Sequence, residues 1–179
     1  MGSNRTIVQL TRVVDCLMEV LSWDEYFMSV AFLSSLRSVD EQYKGGACVV
    51  NAENRIVGIG YCGFPRGIAD SVPTPERSFF LCHSIMNAIL NKNQYDIRGS
   101  RVYCTGFPCS ECAKMIIQAG ITRVIYSSGQ PVEATRILFS LAGVSIFQYQ
   151  PIKRANVEVN GMKRTDAGEF IPCPTVSQS

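Results

Sequence analysis

Leu81-Cys82-His83-Ser84-Ile85-Met86-Asn87-Ala88-Ile89, followed by Phe107-Pro108-Cys109-Ser110-Glu111-Cys112, is the stretch that decides how the rest of the chain folds. It contains the single histidine of the sequence and a Pro-Cys-x-x-Cys at a helix start. Zinc takes imidazole nitrogen and thiolate sulfur in a tetrahedron, and a catalytic site keeps its fourth position open. His83, Cys109 and Cys112 therefore read as three protein ligands of a zinc ion. Cys109 and Cys112 are one helical turn apart, so both thiolates can face one ion, and the positive end of a helix favours their charge. Taken alone, a histidine is more often a packing or surface residue, and a C-x-x-C is also a redox pair. Together, with Pro108 and a strand-to-helix context, the metal reading is the stronger one. Two places after His83, where a glutamate is expected beside such a site, stands Ile85.

Around this stretch the hydrophobic pattern alternates between strand and helix. Ala47-Cys48-Val49-Val50 and Ile56-Val57-Gly58-Ile59-Gly60-Tyr61 are β-rich runs separated by Asn51-Ala52-Glu53-Asn54, a hairpin signal that makes them antiparallel neighbours. Helices are expected over 83–91, 111–119 and 132–142, and strands over 101–105, 123–126 and 144–149, with Gly120 and Gly143 closing two of the helices. Strands linked through helices of this length imply crossover connections and a sheet covered by helices. Upstream, Ser22 with Glu25 three places on is a capping box opening a helix from Trp23 to Leu36. Before it, Ile7, Leu10, Val13, Val14, Leu17, Met18 and Leu21 form an apolar stripe at helical spacing. The segment from Gly63 to Ser78, punctuated by Pro65, Gly67, Pro73 and Pro75, reads as a loop, either a binding loop or a surface excursion. After Pro151 the polar, basic sequence carries few apolar anchors and is expected to be a flexible tail. The expected organisation is a helical extension over 1–21, one zinc domain over 22–150, and a tail over 151–179.

A length of 179 residues with 46% hydrophobic content suits one domain with short appendages. The formal net charge of +2 is too small to argue for nucleic acid, and no aromatic-basic groove is evident. Eight cysteines scattered through apolar runs with no secretory leader suggest reduced thiols in a cytoplasmic protein. Cys16, Cys48 and Cys104 read as small core residues. Gln9, Arg12, Asp15 and Glu19 interrupt the N-terminal stripe and argue against a membrane span.

From Ser22 to Tyr149 the chain resembles the deoxycytidylate (dCMP) deaminases of the zinc-dependent cytidine deaminase superfamily. The resemblance is carried by Trp23 to Leu33, Gly46-Ala47-Cys48-Val49-Val50-Asn51, Arg55 to Tyr61, Gly63-Phe64-Pro65-Arg66-Gly67, Asn87-Ala88-Ile89, Phe107-Pro108-Cys109 and Glu111-Cys112-Ala113-Lys114. It implies a three-layer α/β/α fold with a central five-stranded mixed sheet, a Zn2+ cofactor on His83, Cys109 and Cys112, and dCMP as ligand. It also implies a homo-oligomer, or a hetero-oligomer with an active relative. In that family zinc activates water for attack on C4 of cytosine, and the glutamate of His-x-Glu moves the protons. Ile85 can do neither half of that transfer. Glu111 is no evident substitute, because active relatives also carry a glutamate between the cysteines.

Other departures cluster near the same pocket. Cys62 replaces an asparagine that resembles a sugar-contacting residue, Tyr43-Lys44-Gly45 replaces Thr-Gln-Val, and the segments 70–80 and 127–132 are shorter than in the family. Cys62 is a substrate-contact position by this resemblance, either as a small pocket-lining thiol or as a thiol turned toward the ion. The expectation is a dCMP deaminase-like zinc protein with impaired catalysis, serving in binding or assembly. The alternatives are an active dCMP deaminase and, more remotely, an enzyme acting on polynucleotides.

Overall fold

A computed structural model describes residues 20–38, 44–68, 77–151, 158–159, 162–164 and 170–172. The chain divides into two compact units, Trp23–Gln150 and the segments flanking it. Within the larger unit the elements are α1 (Trp23–Ser35), β1 (Gly46–Val50), β2 (Ile56–Tyr61), a 3-10 turn (Arg77–Phe80), α2 (Ser84–Leu90), β3 (Arg101–Gly106), α3 (Ser110–Gln118), β4 (Arg123–Ser128), α4 (Glu133–Leu141) and β5 (Ser145–Gln148). They form the expected three-layer α/β/α arrangement around a mixed five-stranded sheet, in the order β2-β1-β3-β4-β5. β1 is antiparallel to both of its neighbours, while β3, β4 and β5 run parallel. β2 and β3 therefore point the same way with β1 between them, and the crossover through α2 spans β1.

The hairpin between β1 and β2 is held by Asn51, whose Oδ1 accepts from the backbone N–H of Glu53 at 3.1 Å and of Arg55 at 2.9 Å. Asn54 takes the left-handed conformation at φ 61°, which asparagine tolerates well.

Alternation along the strands divides the interior in two. Ala47, Val49, Val102, Cys104, Val124 and Tyr126 join the apolar residues of α2, α3 and α4 in one core. The opposite face receives α1: Phe27 is fully buried, with its ring 5.4 Å from that of Tyr103. Polar contacts lock this second layer. The Tyr103 hydroxyl donates to Asp24 Oδ1 at 2.6 Å and accepts from Arg101 Nε at 2.9 Å, while Arg101 also donates to Asn54 Oδ1. Burial, reinforced by the hydrogen bond to Asp24, pushes the Tyr103 phenol well above its usual range and keeps it a donor.

Helix boundaries fall within a residue or two of the sequence expectation, as fraying ends allow. Three short strands are described within the segment after Pro151. Glu158–Val159, Met162–Arg164 and Phe170–Pro172 pair as a three-stranded antiparallel sheet. Val159 opposite Met162 leaves the two residues Asn160-Gly161 between them, a hairpin signal that the overall polarity of the segment masks. The helical stripe from Ile7 lies almost wholly outside the described residues, as does Cys16. Among the described residues no helix is long and apolar enough to cross a membrane.

The approach of α2 to β2 decides where the candidate site can form. A Cβ added at Gly60 would lie 2.2 Å from both Ala88 N and Ser84 O, and one at Gly58 would lie 2.3 Å from Ala88 O. Glycine at both positions lets the helix rest directly on strand backbone. Gly60→Ala is expected to destabilise the protein by about 1–3 kcal/mol through overpacking against backbone that cannot swing aside. Gly106→Ala, where nothing lies within 4 Å, should change stability by no more than about 0.5 kcal/mol. Equilibrium urea unfolding of the two variants checks this contrast, and equal midpoints would refute it.

Candidate metal centre

Two helix N-termini converge where crossover units end. His83 is the N-cap of α2, with extended backbone at φ −68° and ψ 152° and no side-chain capping bond. Cys109 is the N-cap of α3, at φ −73° and ψ 171°, likewise without a side-chain cap. Neither side chain is spent on its own helix, as an N-cap Ser or Asp would be. Cys112 lies one turn into α3 and is buried. Phe107 secures the approach to α3: its N–H donates to Ser128 O at 2.9 Å, and its ring meets that of Tyr126 edge-on at 5.0 Å.

The three sequence-predicted residues come together. One nitrogen or sulfur atom from each of His83, Cys109 and Cys112 lies within 4.8 Å of the other two. His83 Nδ1 is 3.3 Å from Cys109 Sγ and 3.4 Å from Cys112 Sγ. Zinc bonds of about 2.3 Å to sulfur and 2.0–2.1 Å to nitrogen, at a tetrahedral angle, would put N and S roughly 3.5 Å apart. The donor set fits zinc in both chemistry and spacing, with Nδ1 as the imidazole atom facing the thiols.

The other thiols differ in environment. Burial pushes Cys48 and Cys104 up to about 12, so both remain neutral and serve as core. Burial also raises Cys112, with Cys109 adding to the shift, and an ion binding there must displace a proton. Cys62 is buried just beyond β2, and its N–H donates to Gly45 O at 3.0 Å. It lies close enough to influence Cys112 electrostatically but outside the three-residue donor group.

Ile85 is 4% exposed and belongs to the same apolar core as Ala88, Ile89, Val102 and Cys112. Glu111 is exposed and paired with Lys114 at 2.6 Å. Sequence reasoning assigned no role to Asn87, whose side-chain amide ties α2 to the end of β2 by donating to Tyr61 O at 2.8 Å. Its helical position was visible in sequence, but a bond to a carbonyl 26 residues away has no local signature.

The family model described as the cytidine and deoxycytidylate deaminase zinc-binding region matches residues 21–128. The chain belongs to that family. Deoxycytidylate deaminases of Mus musculus and Homo sapiens are each 47% identical over 147 residues, covering 74% of this chain and 83% of theirs. Among solved structures, dCMP deaminase from the cyanophage S-TIM5 in its apo form is 31% identical with a TM-score of 0.61, covering 70% of this chain and 96% of that one. The same enzyme in complex with dCMP and dUMP is 30% identical with a TM-score of 0.59, covering 70% and 95%. The cytidine and deoxycytidylate deaminase fold thus accounts for the larger unit, and the His83, Cys109 and Cys112 cluster is its candidate zinc site.

Replacing either Cys112 by Ser or His83 by Ala is expected to reduce bound zinc from about one ion per chain to a small fraction, measured by elemental analysis after dialysis. Because the thiols must lose protons to bind, zinc affinity should fall as pH is lowered, by up to about tenfold per pH unit for each proton displaced. Competition against a chelator of known pH dependence between pH 8 and 6 reads that slope. A flat profile would contradict thiolate ligation.

Proposed function

We propose that this chain is a zinc protein that binds a pyrimidine deoxynucleotide of the dCMP kind and turns it over poorly. It would act in cytoplasmic pyrimidine deoxynucleotide metabolism as a binding subunit or as a partner in a homo- or hetero-oligomer. In this reading His83, Cys109 and Cys112 are the metal ligands, and Cys62 borders the nucleotide. Bound zinc would supply Lewis acidity and a water made acidic enough to react near neutral pH. The chain's own contribution would be to hold the ion on two helix starts and to shape the space beside it.

The observation that carries the impaired reading is Ile85, buried in the core two residues after His83. Hydrolytic deamination needs a proton taken from water and delivered to the ring and the departing amine. The zinc deaminase signature assigns this work to a glutamate at that position, and a general acid–base group commonly contributes about 10²–10⁴-fold. The sec-butyl side chain of Ile85 has no acidic proton to give and no lone pair to receive one. Glu111 already pairs with Lys114 on an exposed face.

A second reading is an active dCMP deaminase that converts dCMP to dUMP. It is supported by 47% identity to proteins named deoxycytidylate deaminase and by the similar cyanophage enzyme captured with dCMP and dUMP. These comparisons favour an active enzyme more directly than an impaired one. The case for impairment rests on the chemistry of Ile85.

Steady-state formation of dUMP and ammonia from dCMP separates the two readings. With the impaired reading, the wild-type rate is low and Ile85→Glu raises it by about 10² or more. A wild-type rate already matching that of active relatives would establish the second reading and end the first. Equilibrium dialysis with dCMP tests nucleotide binding independently of turnover.

A further inference from the structure

His83 receives little support from its own backbone cap, since its side chain makes no capping bond and faces the thiols instead. Something else must fix the junction between Cys82 and α2 well enough to hold an imidazole at a ligand position. A pair of backbone hydrogen bonds supplies one part. Cys82 N–H donates to Gly63 O at 2.8 Å, and Gly63 N–H donates to Cys82 O at 3.2 Å, forming an isolated antiparallel bridge beside His83.

Asn87 supplies the other part. Its backbone N–H donates to His83 O at 3.0 Å, closing the first turn of α2. Its side-chain Nδ2 donates to Tyr61 O at 2.8 Å and makes a longer contact to Cys82 O at 3.5 Å. Both side-chain partners are carbonyl oxygens, so the amide nitrogen must face them, and its two hydrogens match two acceptors. One residue therefore connects the last residue of β2, the residue before the histidine, and the histidine itself. The glycines at 58 and 60 bring β2 and α2 together, but a bare backbone contact leaves sliding along the strand open. The Asn87 bond to Tyr61 O fixes that remaining coordinate.

We propose that Asn87 is a positioning residue for the metal centre, setting the placement of His83 relative to Cys109 and Cys112. The inference rests on the reading of His83 as a metal ligand. Residues that orient a ligand from outside the coordination shell commonly change metal affinity by about 10- to 100-fold when replaced. Asn87 acts here through main chain rather than by touching the imidazole. Its loss should therefore loosen ligand geometry more than it loosens the fold.

Asn87→Asp keeps the side-chain shape but replaces the donor by a carboxylate facing two carbonyls, and Asn87→Ala removes the donor without adding charge. Thr122→Val is the control. It deletes a side-chain donor to the carbonyls of Gly99 and Ser100, at 3.3 and 3.4 Å, just before β3 and β4 begin and so at the opposite end of β3 from Cys109. Each full-length protein would be stripped of metal and its thermal midpoint recorded. Zinc affinity would be taken from competition with a chromophoric chelator, and ligand geometry from the visible spectrum of the Co2+ form.

Asn87→Ala and Asn87→Asp are expected to weaken zinc about 10- to 100-fold and to alter the Co2+ ligand-field bands, with metal-free midpoints near that of Thr122→Val. Thr122→Val should retain wild-type zinc affinity and spectrum. If both Asn87 variants bind zinc as tightly as wild type with the same Co2+ spectrum, the positioning role is overturned while the metal site stands. If Asn87→Asp does not fold, Asn87→Ala alone decides between those outcomes. A wild-type protein that binds no zinc would overturn the metal reading and this inference with it.

Discussion

Gly58 and Gly60 leave one face of β2 bare, and α2 rests on it so closely that the backbone of Ser84 and Ala88 occupies the space where strand side chains would stand. The first residue of that helix follows His83, so the separation between strand and helix also sets the distance from the histidine to the thiols of α3. A larger residue at either glycine would shift α2 as a body, because a hydrogen-bonded helix transmits displacement along its axis. The apolar packing of Ile85, Ala88 and Ile89 in the same core as Ala47, Val49 and Val102 then holds the helix on the sheet. Metal-ligand geometry thus follows from a constraint on backbone packing, and the ligands need no special conformations of their own.

The same economy appears in the thiols. Cysteine occurs here in environments that give it different chemistry without any change in the residue. Cys48 and Cys104 lie in strands inside the core, where burial keeps the thiol neutral. Cys109 and Cys112 stand at the start of a helix, whose partial positive charge favours thiolates. Burial opposes that tendency at Cys112, and a divalent cation is well suited to resolve the conflict because it pairs with a thiolate as it replaces the proton. Position within the secondary structure, rather than the sulfur itself, sorts structural thiols from candidate ligands.

Much of this was legible in sequence because it depends on local periodicity and spacing. The Asn51–Arg55 turn, the alternation of strand and helix after Gly46, and the joint placement of His83, Cys109 and Cys112 at helix starts all follow from short-range signals. The resemblance to dCMP deaminases added the five-stranded mixed sheet, which periodicity alone does not order. What escaped were links between distant segments. β1 lying antiparallel between β2 and β3, the Tyr103 bonds to Asp24 and Arg101, and the Asn87 bond to Tyr61 O each join residues whose proximity exists only after folding. The short strands after Pro151 have a different kind of signal. A polar, basic composition argued for a tail, whereas pairing depends on short β-forming runs and a two-residue turn signal.

Ile85 brings the stability and the chemistry of the centre into opposition. At 4% exposure its side chain lies among apolar residues, and full burial of such a side chain is worth about 1.5–3 kcal/mol relative to exposure. A glutamate buried at the same place would be deprived of the water that stabilises its ionised form, and without a compensating charge or hydrogen bond its pKa would rise. That penalty is useful to an enzyme that needs a proton carrier poised near neutrality. It contributes nothing to a protein that only binds. Isoleucine therefore relieves a local cost while leaving both helix starts, their thiols and the imidazole in place. His83, Cys109 and Cys112 present donor atoms spaced to hold a divalent cation, while Ile85, at the position that the zinc deaminase signature gives to a glutamate, packs in the core beside them.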